Sequence, residues 1–441
     1  MPDGSIQMIY LRNERNRNEL RTPIIPNDIP KLLNMGFVVY LESSCHRIYT
    51  DSEYTACGAI VTNDKWYNEK FKKAMIVGLK ELENMDRLNK HTHMYFAHCY
   101  KNQAGSRGIL KQFARSGSYL YDFEYFLEPN TNNTDRNASF TPLNLRATLP
   151  INELQGNPPM EDCPILNLHR CKRIISFGFY AGMVGCVLGL EQSLSKRYYA
   201  KNISNLQCWE SKEHMMENII KYITRDQDQD QHQDQDRDQH QDQDRDQDRD
   251  QDQDQDKGVV TPLNIAIIGA KGNCGTGVKN ILRHLIMLYK IKIKRDENPD
   301  KSCLHKYDIV FNCINLKETC EEVWFSPETR FEKPIVIVDI SCDYSKSNNP
   351  IAIYTEPTTW VEPVYSYNSY VDIIAINNLP SLLPRDSSNY FSGKCVELAK
   401  QYTPLNILTE TLEGVRQDVH DSVWKRNRQI FMSQIYEKCF T

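Results

Sequence analysis

Short apolar runs, separated by polar or glycine-containing turns, recur along both halves of the chain and predict strands that alternate with helices. Such alternation is typical of parallel sheets with crossover helices, so the expected fold class is α/β: two Rossmann-like, doubly wound domains with an interdomain cleft. The predicted buried strands are Val38–Leu41, Ala59–Val61, Met75–Gly78, Asn264–Ile268, Ile291–Ile293, Ile309–Phe311, Ile335–Ile340 and Ile373–Ile376. A helical period covers Val278–Tyr289 and most of the chain after Asp386, including Leu412–Tyr436.

Two segments interrupt this pattern. Residues 129–170 are rich in Asn, Thr and Pro without a sustained period, which predicts a surface insertion. Arg225–Lys257 is almost entirely alternating Asp and Gln, so neither face of a strand would be apolar. Because no burial would offset the ordering entropy, we expect this low-complexity insertion to be disordered, with an acidic metal-binding or partner-binding tract as the alternative. The expected domains are 1–177 with 381–441, and 178–380.

The acidic tract also dominates the charge of the chain. It holds 14 Asp against four Arg and one Lys, so removing its −9 from the formal charge of −5 leaves +4 for the rest. A nearly neutral remainder argues against nucleic acid as a partner. The longest uncharged stretch, Ile174–Leu190, holds 17 residues with four glycines, fewer than the roughly 20 apolar residues that cross a bilayer, and predicts a buried packing segment between domains. A polar N-terminus and 14 cysteines without a CxxC pair favour a cytoplasmic protein with reduced thiols and no metal site.

A glycine-rich turn follows the predicted strand Asn264–Ile268 and opens the next helix. Its sequence is Gly269-Ala-Lys-Gly272-Asn-Cys-Gly275-Thr-Gly277. Glycines let a backbone turn tightly against a pyrophosphate at a helix N-terminus, so this turn predicts dinucleotide binding, with a purely structural turn as the alternative. Asp296 lies 19 residues after Gly277, where a carboxylate binds an adenosine ribose hydroxyl and favours NAD over NADP. The neighbouring cations Lys294 and Arg295 weaken that preference.

Polar side chains follow apolar stretches in the first half of the chain as well. Lys80 comes at the end of a predicted strand, and His98, Lys101 and Gln103 follow another apolar stretch. Ligands in α/β sheets bind beyond the carboxyl ends of strands, which makes these residues candidates for a site. Taken singly, each also has an ordinary interpretation as a solvated lysine or a core histidine. Arg21, close to Glu19, is likewise either a site residue or a surface cation.

Six motifs in one order suggest a family. They are Gly78-Leu-Lys-Glu, Phe96-Ala-His-Cys-Tyr-Lys-x-Gln-Ala-Gly, Leu120-Tyr-Asp-Phe-Glu, Phe177-Gly-Phe-Tyr-Ala-Gly, Ile340-Ser-Cys-Asp343 and Leu379-Pro-Ser-Leu-Leu-Pro-Arg-x-x-Ser388. On these motifs the chain resembles the NAD-dependent, L-lysine-forming saccharopine dehydrogenases, within the wider alanine dehydrogenase and transhydrogenase superfamily.

The resemblance implies a reaction and a set of site residues. Members of the family oxidise the secondary amine of saccharopine with NAD, and water then releases L-lysine and 2-oxoglutarate. Lys80 would be the catalytic base, and His98 the acid–base group for the water step. The implied substrate-binding residues are Arg21, Lys80, Gln103, Phe177, Ser341, Cys342 and Asp343, with Lys101 and Arg173 as further charge partners. The implied cofactor-binding residues are Lys172, Gly272, Asn273, Asp296, Asn315, Ile340, Ile376, Asn377, Asn378 and Leu379. The first domain would then carry the substrate and the second NAD, in an expected monomer that binds a small molecule and neither nucleic acid nor membrane.

The chain departs from the family pattern at the cofactor side. Asn377-Asn378 stands where the family usually has Asp-His, and Asn315 where an aromatic residue can occur. One alternative is a related amino-acid dehydrogenase, either alanine-type or an NADPH-linked lysine–oxoglutarate reductase. The Asn377-Asn378 change and the two long insertions motivate another, a catalytically weak cofactor-binding protein kept for interaction.

Overall fold

The computed structural model describes residues 7–100, 105–129, 171–223, 263–289, 292–314, 322–342, 344, 349–402 and 423–439. They divide into two compact units, the first made of Met1–Ser176 with Ser387–Thr441 and the second of Phe177–Asp386. The predicted surface insertion, apart from residue 129, and the predicted disordered tract lie outside the described residues. Among the described residues, no helix has both the length and the apolar composition that a bilayer crossing requires.

Each unit is built from strands joined by helices. The strands are β1 Gln7–Leu11, β2 Phe37–Glu42, β3 Ile60–Thr62, β4 Met75–Val77, β5 Thr92–Tyr95, β6 Tyr119–Asp122, β7 Leu127–Pro129, β8 Cys171–Arg173, β9 Leu263–Ile268, β10 Ile293–Asp296, β11 Ile309–Asn312, β12 Ile335–Asp339, β13 Tyr365–Ser366 and β14 Val371–Ile374. The helices are α1 Ile29–Asn34, α2 Asp51–Ala56, α3 Ser106–Ser116, α4 Gly178–Tyr199, α5 over the described residues 212–223, α6 Asn273–Tyr289, α7 Pro384–Lys400 and α8 Val423–Cys439.

The first unit holds a six-stranded parallel sheet with the order β3-β2-β1-β4-β5-β6. β1 lies at its centre, between β2 and β4, and all neighbouring strands run in the same direction. The prediction that Ala59–Val61 is a buried strand is wrong in one respect, because β3 is an edge strand and Ile60 is 47% exposed. Strands β1, β5 and β6 were not predicted from the apolar pattern. A two-stranded antiparallel sheet of β7 and β8 follows.

The second unit holds a sheet with the order β10-β9-β11-β12-β14-β13, parallel except for the edge strand β13. Successive residues of its central strands enter two different hydrophobic cores. Ile265 and Ile267 of β9 pack into one core, and Ala266 and Ile268 pack into the other. A strand that is buried on both faces reads as a continuous apolar run, which explains why these strands were visible in the sequence. The predicted two doubly wound α/β sheets are thus confirmed.

Helix α4 packs against α6 inside the second unit so closely that their backbones touch with almost no side chains between them. A Cβ atom added at Gly182 would overlap the carbonyl of Cys274, and one added at Gly277 would overlap the carbonyl of Phe179. The segment predicted to pack between domains is buried, but it lies largely in this helix and packs inside the second unit, where glycines allow close approach to the N-terminal turn of α6. The glycine-rich turn is thereby packed directly against a buried helix.

Candidate functional site

Lys80 follows β4 in a loop that we call the Lys80 loop, residues Gly78–Glu81. The Lys80 side chain is partly buried, and no residue of the described chain forms a hydrogen bond or ion pair with its ammonium group. Burial lowers the pKa of Lys80, and the nearby carboxylate of Glu19 opposes that shift most strongly. The Arg21 guanidinium lowers the pKa further, whereas Glu14 and Glu81 raise it. This amine therefore loses its proton at a lower pH than an exposed lysine does.

Arg21 and Glu19 form a buried, bidentate ion pair next to Lys80. Nε of Arg21 donates to Oε1 of Glu19, and Nη2 donates to Oε2, both at 2.6 Å. Arg21 is 5% exposed and Glu19 1% exposed, so the interpretation of Arg21 as a surface cation is wrong. Glu19 holds the guanidinium plane in one orientation, which is the arrangement that planar recognition of a second carboxylate needs.

His98 lies beyond the carboxyl end of β5, beside two charged residues. Its backbone is left-handed, with φ 49°, and its side chain is 46% exposed. Nδ1 of His98 lies 3.9 Å from Oε1 of Glu124, and the same oxygen lies 3.5 Å from Nη1 of Arg173. The interpretation of His98 as a core histidine is therefore wrong. The carboxylate of Glu124 therefore lies close to both the imidazole of His98 and the guanidinium of Arg173.

Asp122 joins the segments that carry His98 and Glu124. Its carboxylate accepts hydrogen bonds from the backbone N–H of Ala97 at 3.3 Å and of Glu124 at 2.9 Å. Asp122 is fully buried, and its own carbonyl accepts from Nδ2 of Asn427 in α8. A hydrogen bond from the Phe96 N–H to the Leu79 carbonyl, 3.3 Å long, ties this region to the Lys80 loop. The first unit thus brings Lys80 and His98 to neighbouring strand ends.

The small β7–β8 sheet carries two further predicted residues, Arg173 and Lys172. Lys172 is exposed, and its ammonium group lies 3.9 Å from the carboxylate of Glu128. Phe177 begins the second unit and is 9% exposed. It directly precedes α4, to which it is the N-terminal cap residue.

The glycine-rich turn of the second unit connects β9 to α6. Gly269 adopts φ 82°, and a Cβ atom added at Gly275 would lie 2.5 Å from Cα of Ala270. At Gly272, by contrast, an added Cβ would meet nothing closer than 3.4 Å. Packing and backbone conformation thus require the other glycines of the turn, but not Gly272, which is exposed together with Asn273. An exposed glycine at the N-terminus of a 17-residue helix provides a surface for close approach of a phosphate.

The end of β10 carries two acidic residues with different partners. Asp296 accepts a hydrogen bond from the Tyr307 hydroxyl at 2.7 Å, which is the main reason that its pKa is lowered. Glu297 forms ion pairs of 3.2 Å with both Lys279 and Arg295. Of the two cations that weakened the NAD preference in the sequence, Arg295 is therefore paired with Glu297, whereas Lys294 acts on Asp296 and helps to lower its pKa.

The remaining predicted residues of the second unit follow β12 and β14. The Ser341 hydroxyl donates to the Ile314 carbonyl, and the Cys342 N–H donates to the Asp339 carboxylate at 3.1 Å. Asn377 is exposed, and Asn378 accepts a hydrogen bond of 3.3 Å from the Trp360 indole. The side chains of three predicted cofactor residues are buried in the hydrophobic core: Ile340, Ile376 and Leu379. All of these positions lie at the carboxyl edge of the sheet, as do Gly272 and Asp296.

Four predicted site residues lie outside the described residues: Lys101, Gln103, Asn315 and Asp343. Within the described part of the chain, no group of three or more His, Cys, Asp or Glu side chains is arranged to hold a metal ion.

Several residues around these sites were not predicted to matter. Four of them bind a predicted residue, its backbone or, for Asp122, the residue before His98: Glu14, Asp122, Glu124 and Tyr307. Two of them, Asp122 and Glu124, stand inside the motif Leu120-Tyr-Asp-Phe-Glu, and this motif was the one feature of the sequence that could have pointed to them. Glu14 and Tyr307 belong to none of the six motifs.

Comparison with known proteins gives this arrangement a context. A family model described as "Alanine dehydrogenase/PNT, N-terminal domain" matches residues 10–141. A saccharopine dehydrogenase (NAD(+), L-lysine-forming) from Yarrowia lipolytica is 27% identical over 399 residues, which is 87% of this chain and 89% of that protein. The protein of the same name from Neurospora crassa is 24% identical and covers 97% of this chain and 96% of its own length. The resemblance to saccharopine dehydrogenases is confirmed.

A solved structure titled L-alanine dehydrogenase supports the fold. It covers 97% of this chain and 100% of its own length, with a TM-score of 0.54 and 14% sequence identity. At that identity the likeness concerns the fold alone. Among relatives, the saccharopine dehydrogenase of Candida albicans is 27% identical over 96% of both chains, so the similarity spans both units and not a single domain.

Proposed function

We propose that this chain is an NAD-dependent saccharopine dehydrogenase, which oxidises L-saccharopine and, with water, releases L-lysine and 2-oxoglutarate in lysine biosynthesis. The observation that carries the proposal is the placement of Lys80 and His98 at adjoining strand ends of the first unit, tied by the Phe96–Leu79 hydrogen bond. The similarity to relatives of that name along most of the chain supports the same reaction.

Lys80 suits the task of taking a proton from the substrate amine. Its lowered pKa increases the fraction of neutral amine near neutral pH, and no described residue forms a hydrogen bond or ion pair with its ammonium group. Neutral lysine then accepts the proton that the secondary amine must lose as its carbon is oxidised to an imine.

His98 suits the later steps, in which water adds to the imine and the carbinolamine breaks its C–N bond. An exposed imidazole can reach water and exchange its proton with solvent, and an imidazole titrates in the range where these transfers occur. Acting as a base, it takes a proton from the attacking water; acting as an acid, it returns one to the departing lysine nitrogen. Glu124 stabilises the protonated ring between these steps.

The substrate carries three carboxylates, and the first unit offers oriented cations for them. Arg21, fixed by Glu19, and Arg173, beside Glu124, are the described guanidinium groups at this edge that we assign to substrate binding. Each is balanced by one glutamate, so the site without substrate is not strongly basic. Substrate carboxylates would gain charge-assisted hydrogen bonds, and the free protein would not have to hold two unpaired, mutually repelling cations close together.

The second unit fits a dinucleotide. The open position at Gly272 leaves room for a pyrophosphate at the N-terminus of α6, and Asp296 would bind the ribose hydroxyls. Bound NAD would supply the acceptor for the two electrons that leave the substrate C–H bond. The backbone around Ile340 and the loop 376–379 lies at the same sheet edge, and we assign it to the nicotinamide side.

The decisive experiment supplies L-saccharopine and NAD to the purified chain and follows absorbance of the reduced nicotinamide. We expect turnover that rises with pH through the lowered pKa of Lys80, because only the neutral amine accepts a proton. In Lys80→Met that rise should disappear while NADH binding, measured by fluorescence, stays unchanged. NADH binding without turnover in the wild type would favour the catalytically weak cofactor-binding protein, and faster turnover of L-alanine would favour an alanine-type dehydrogenase.

A cytoplasmic monomer is the proposed state of the enzyme, supported by the resemblance alone. Sedimentation of the purified chain at two concentrations tests the monomeric state, because a dimer would double the mass.

A further inference from the structure

The Lys80 loop is held by two side chains that follow β1. β1 and β4 are parallel neighbours, so Arg12 and Gly78 leave the sheet at the same edge. The Arg12 N–H continues the ladder by donating to the Val77 carbonyl at 3.0 Å. The Arg12 side chain then crosses over Gly78 so closely that a Cβ atom there would overlap its guanidinium group. This explains why glycine precedes the lysine motif.

Arg12 binds the carbonyl side of the loop. Nη2 donates to the Lys80 carbonyl, and Nη1 donates to the Glu81 carbonyl at 3.1 Å. The guanidinium carbon lies 5.3 Å from the centre of the buried Tyr95 ring, which limits its movement on the other side. A single planar group therefore fixes two consecutive carbonyls.

Glu14 binds the N–H side of the same loop. Its Oε1 accepts from the Leu79 N–H at 2.6 Å, and its Oε2 accepts from the Lys80 N–H at 3.1 Å. The same Oε2 lies 3.7 Å from Nη2 of Arg12, and both side chains are about 5% exposed. Both backbone polar groups of Lys80 are thus bound by one buried pair of opposite charge.

We propose that Arg12 and Glu14 are positioning residues for the Lys80 amine, an inference that rests on the proposed function. No described residue holds the ammonium group itself, so its location depends on the backbone from which it projects. The groups that act on this amine are Glu19, Arg21, Glu14 and Glu81, so Glu14 both holds the backbone and stabilises the charged form.

The test combines Arg12→Lys and Glu14→Gln with a matched control, Arg47→Lys. Arg47 is also a buried arginine that donates to a backbone carbonyl, that of Glu42 at 2.8 Å, but it does not contact the Lys80 loop. Lysine at position 12 keeps the charge but reaches only one carbonyl. We expect kcat for saccharopine oxidation to fall about tenfold or more, since misplacement of a reacting group by about 1 Å can cost 100-fold. KM for NAD should stay within about twofold, and Arg47→Lys should keep kcat within about twofold.

A double-mutant cycle separates positioning from simple destabilisation. In the Lys80→Met background, Arg12→Lys should cause no further loss of the residual rate, because the amine that it positions is absent. A loss of the same factor in both backgrounds would overturn the proposal and show a purely structural role.

A second readout does not depend on turnover. The rate at which an amine-acylating reagent modifies Lys80, measured by mass spectrometry across pH, reports the protonation of this amine in each variant. Glu14→Gln should move the midpoint to lower pH, because it removes a carboxylate that favours the ammonium form, and Arg47→Lys should leave it unchanged. If the wild type does not oxidise saccharopine, the proposed function fails while this measurement still decides the inference. Wild-type labelling curves in both Arg12→Lys and Glu14→Gln would overturn it.

Discussion

Nδ1 of His98 and Oε1 of Glu124 are 3.9 Å apart, and the same carboxylate oxygen lies 3.5 Å from the guanidinium of Arg173. The first distance is too long for a hydrogen bond, but a protonated imidazole at this distance attracts the carboxylate. Asp122 fixes both partners by accepting hydrogen bonds from the N–H groups of Ala97 and Glu124. The imidazole therefore faces a carboxylate whose position is set by the buried core.

Replacing this carboxylate by an amide tests its part in the reaction. We expect Glu124→Gln to lower kcat for saccharopine oxidation by about tenfold, because the protonated imidazole loses its counter-charge and Arg173 is left unbalanced. NADH affinity should not change. The matched control is Glu69→Gln, which breaks an exposed ion pair of 2.9 Å with Lys72 and should leave kcat unaltered. Equal kcat values for Glu124→Gln and the wild type would contradict this role.

Two glycines of the same turn should respond differently to alanine. In Gly272→Ala the new methyl group meets nothing closer than 3.4 Å, so we expect wild-type thermal stability with NADH affinity weakened about tenfold by the blocked phosphate surface. In Gly275→Ala the methyl group would lie 2.5 Å from Cα of Ala270, so the melting temperature should fall. Thermal denaturation and a fluorescence titration with NADH measure the two effects. An unchanged NADH affinity in Gly272→Ala would argue against a pyrophosphate at this turn.

Cofactor preference should depend on two acids rather than one. Asp296 would repel a 2′-phosphate, and Glu297 ties up Lys279 and Arg295, which would otherwise attract it. We expect Asp296→Ser alone to improve NADPH affinity less than Asp296→Ser with Glu297→Gln, which releases both cations.

The ratio of NADPH to NADH dissociation constants measures this difference in preference. Glu322→Gln, which removes an exposed partner of Lys301 in the same unit, serves as the control. An identical ratio for the single and double variants would show that Glu297 plays no part.

The sequence predicted the second sheet more fully than the first, and burial explains the difference. Strands such as β12 are buried on both faces and form uninterrupted apolar runs. β5 was missed because polar residues interrupt it. One of them, His93, is fully buried and lies 4.8 Å, ring centre to ring centre, from Trp66. Nothing in a linear pattern distinguishes such a core histidine from an exposed one.

In the candidate site, too, some residues could be predicted from the sequence and others could not. Lys80 and His98 were identifiable because they stand inside motifs at strand ends. The partners that hold them come from distant parts of the chain: Glu14 binds the N–H of Lys80 across 66 residues. Such contacts arise when parallel strands bring their carboxyl ends together, and that order, β1 beside β4 and β5 beside β6, is not encoded in residue spacing. The candidate reacting groups could therefore be predicted from the sequence, whereas the groups that orient them could not.

Glu191 in α4 should make the stability of the second unit depend on pH. It is 7% exposed, and burial alone raises its pKa to about 8. Because the pKa in the folded state lies above that in the unfolded chain, folding takes up a proton. The resulting stabilisation is complete below about pH 4.5 and is lost as the pH rises through about 8. Within that window the loss approaches about 1.4 kcal/mol per pH unit.

Glu191→Gln removes this titration while it keeps the shape of the side chain. Relative to the wild type, the variant should gain stability as the pH rises from about 5 to about 8, which urea unfolding at several pH values would measure. Glu217→Gln, an exposed change in α5, is the control and should follow the wild-type curve. If Glu191→Gln also runs parallel to the wild type across this range, then Glu191 is ionised in the folded protein, and the core around α4 must supply a counter-charge or water that offsets its burial.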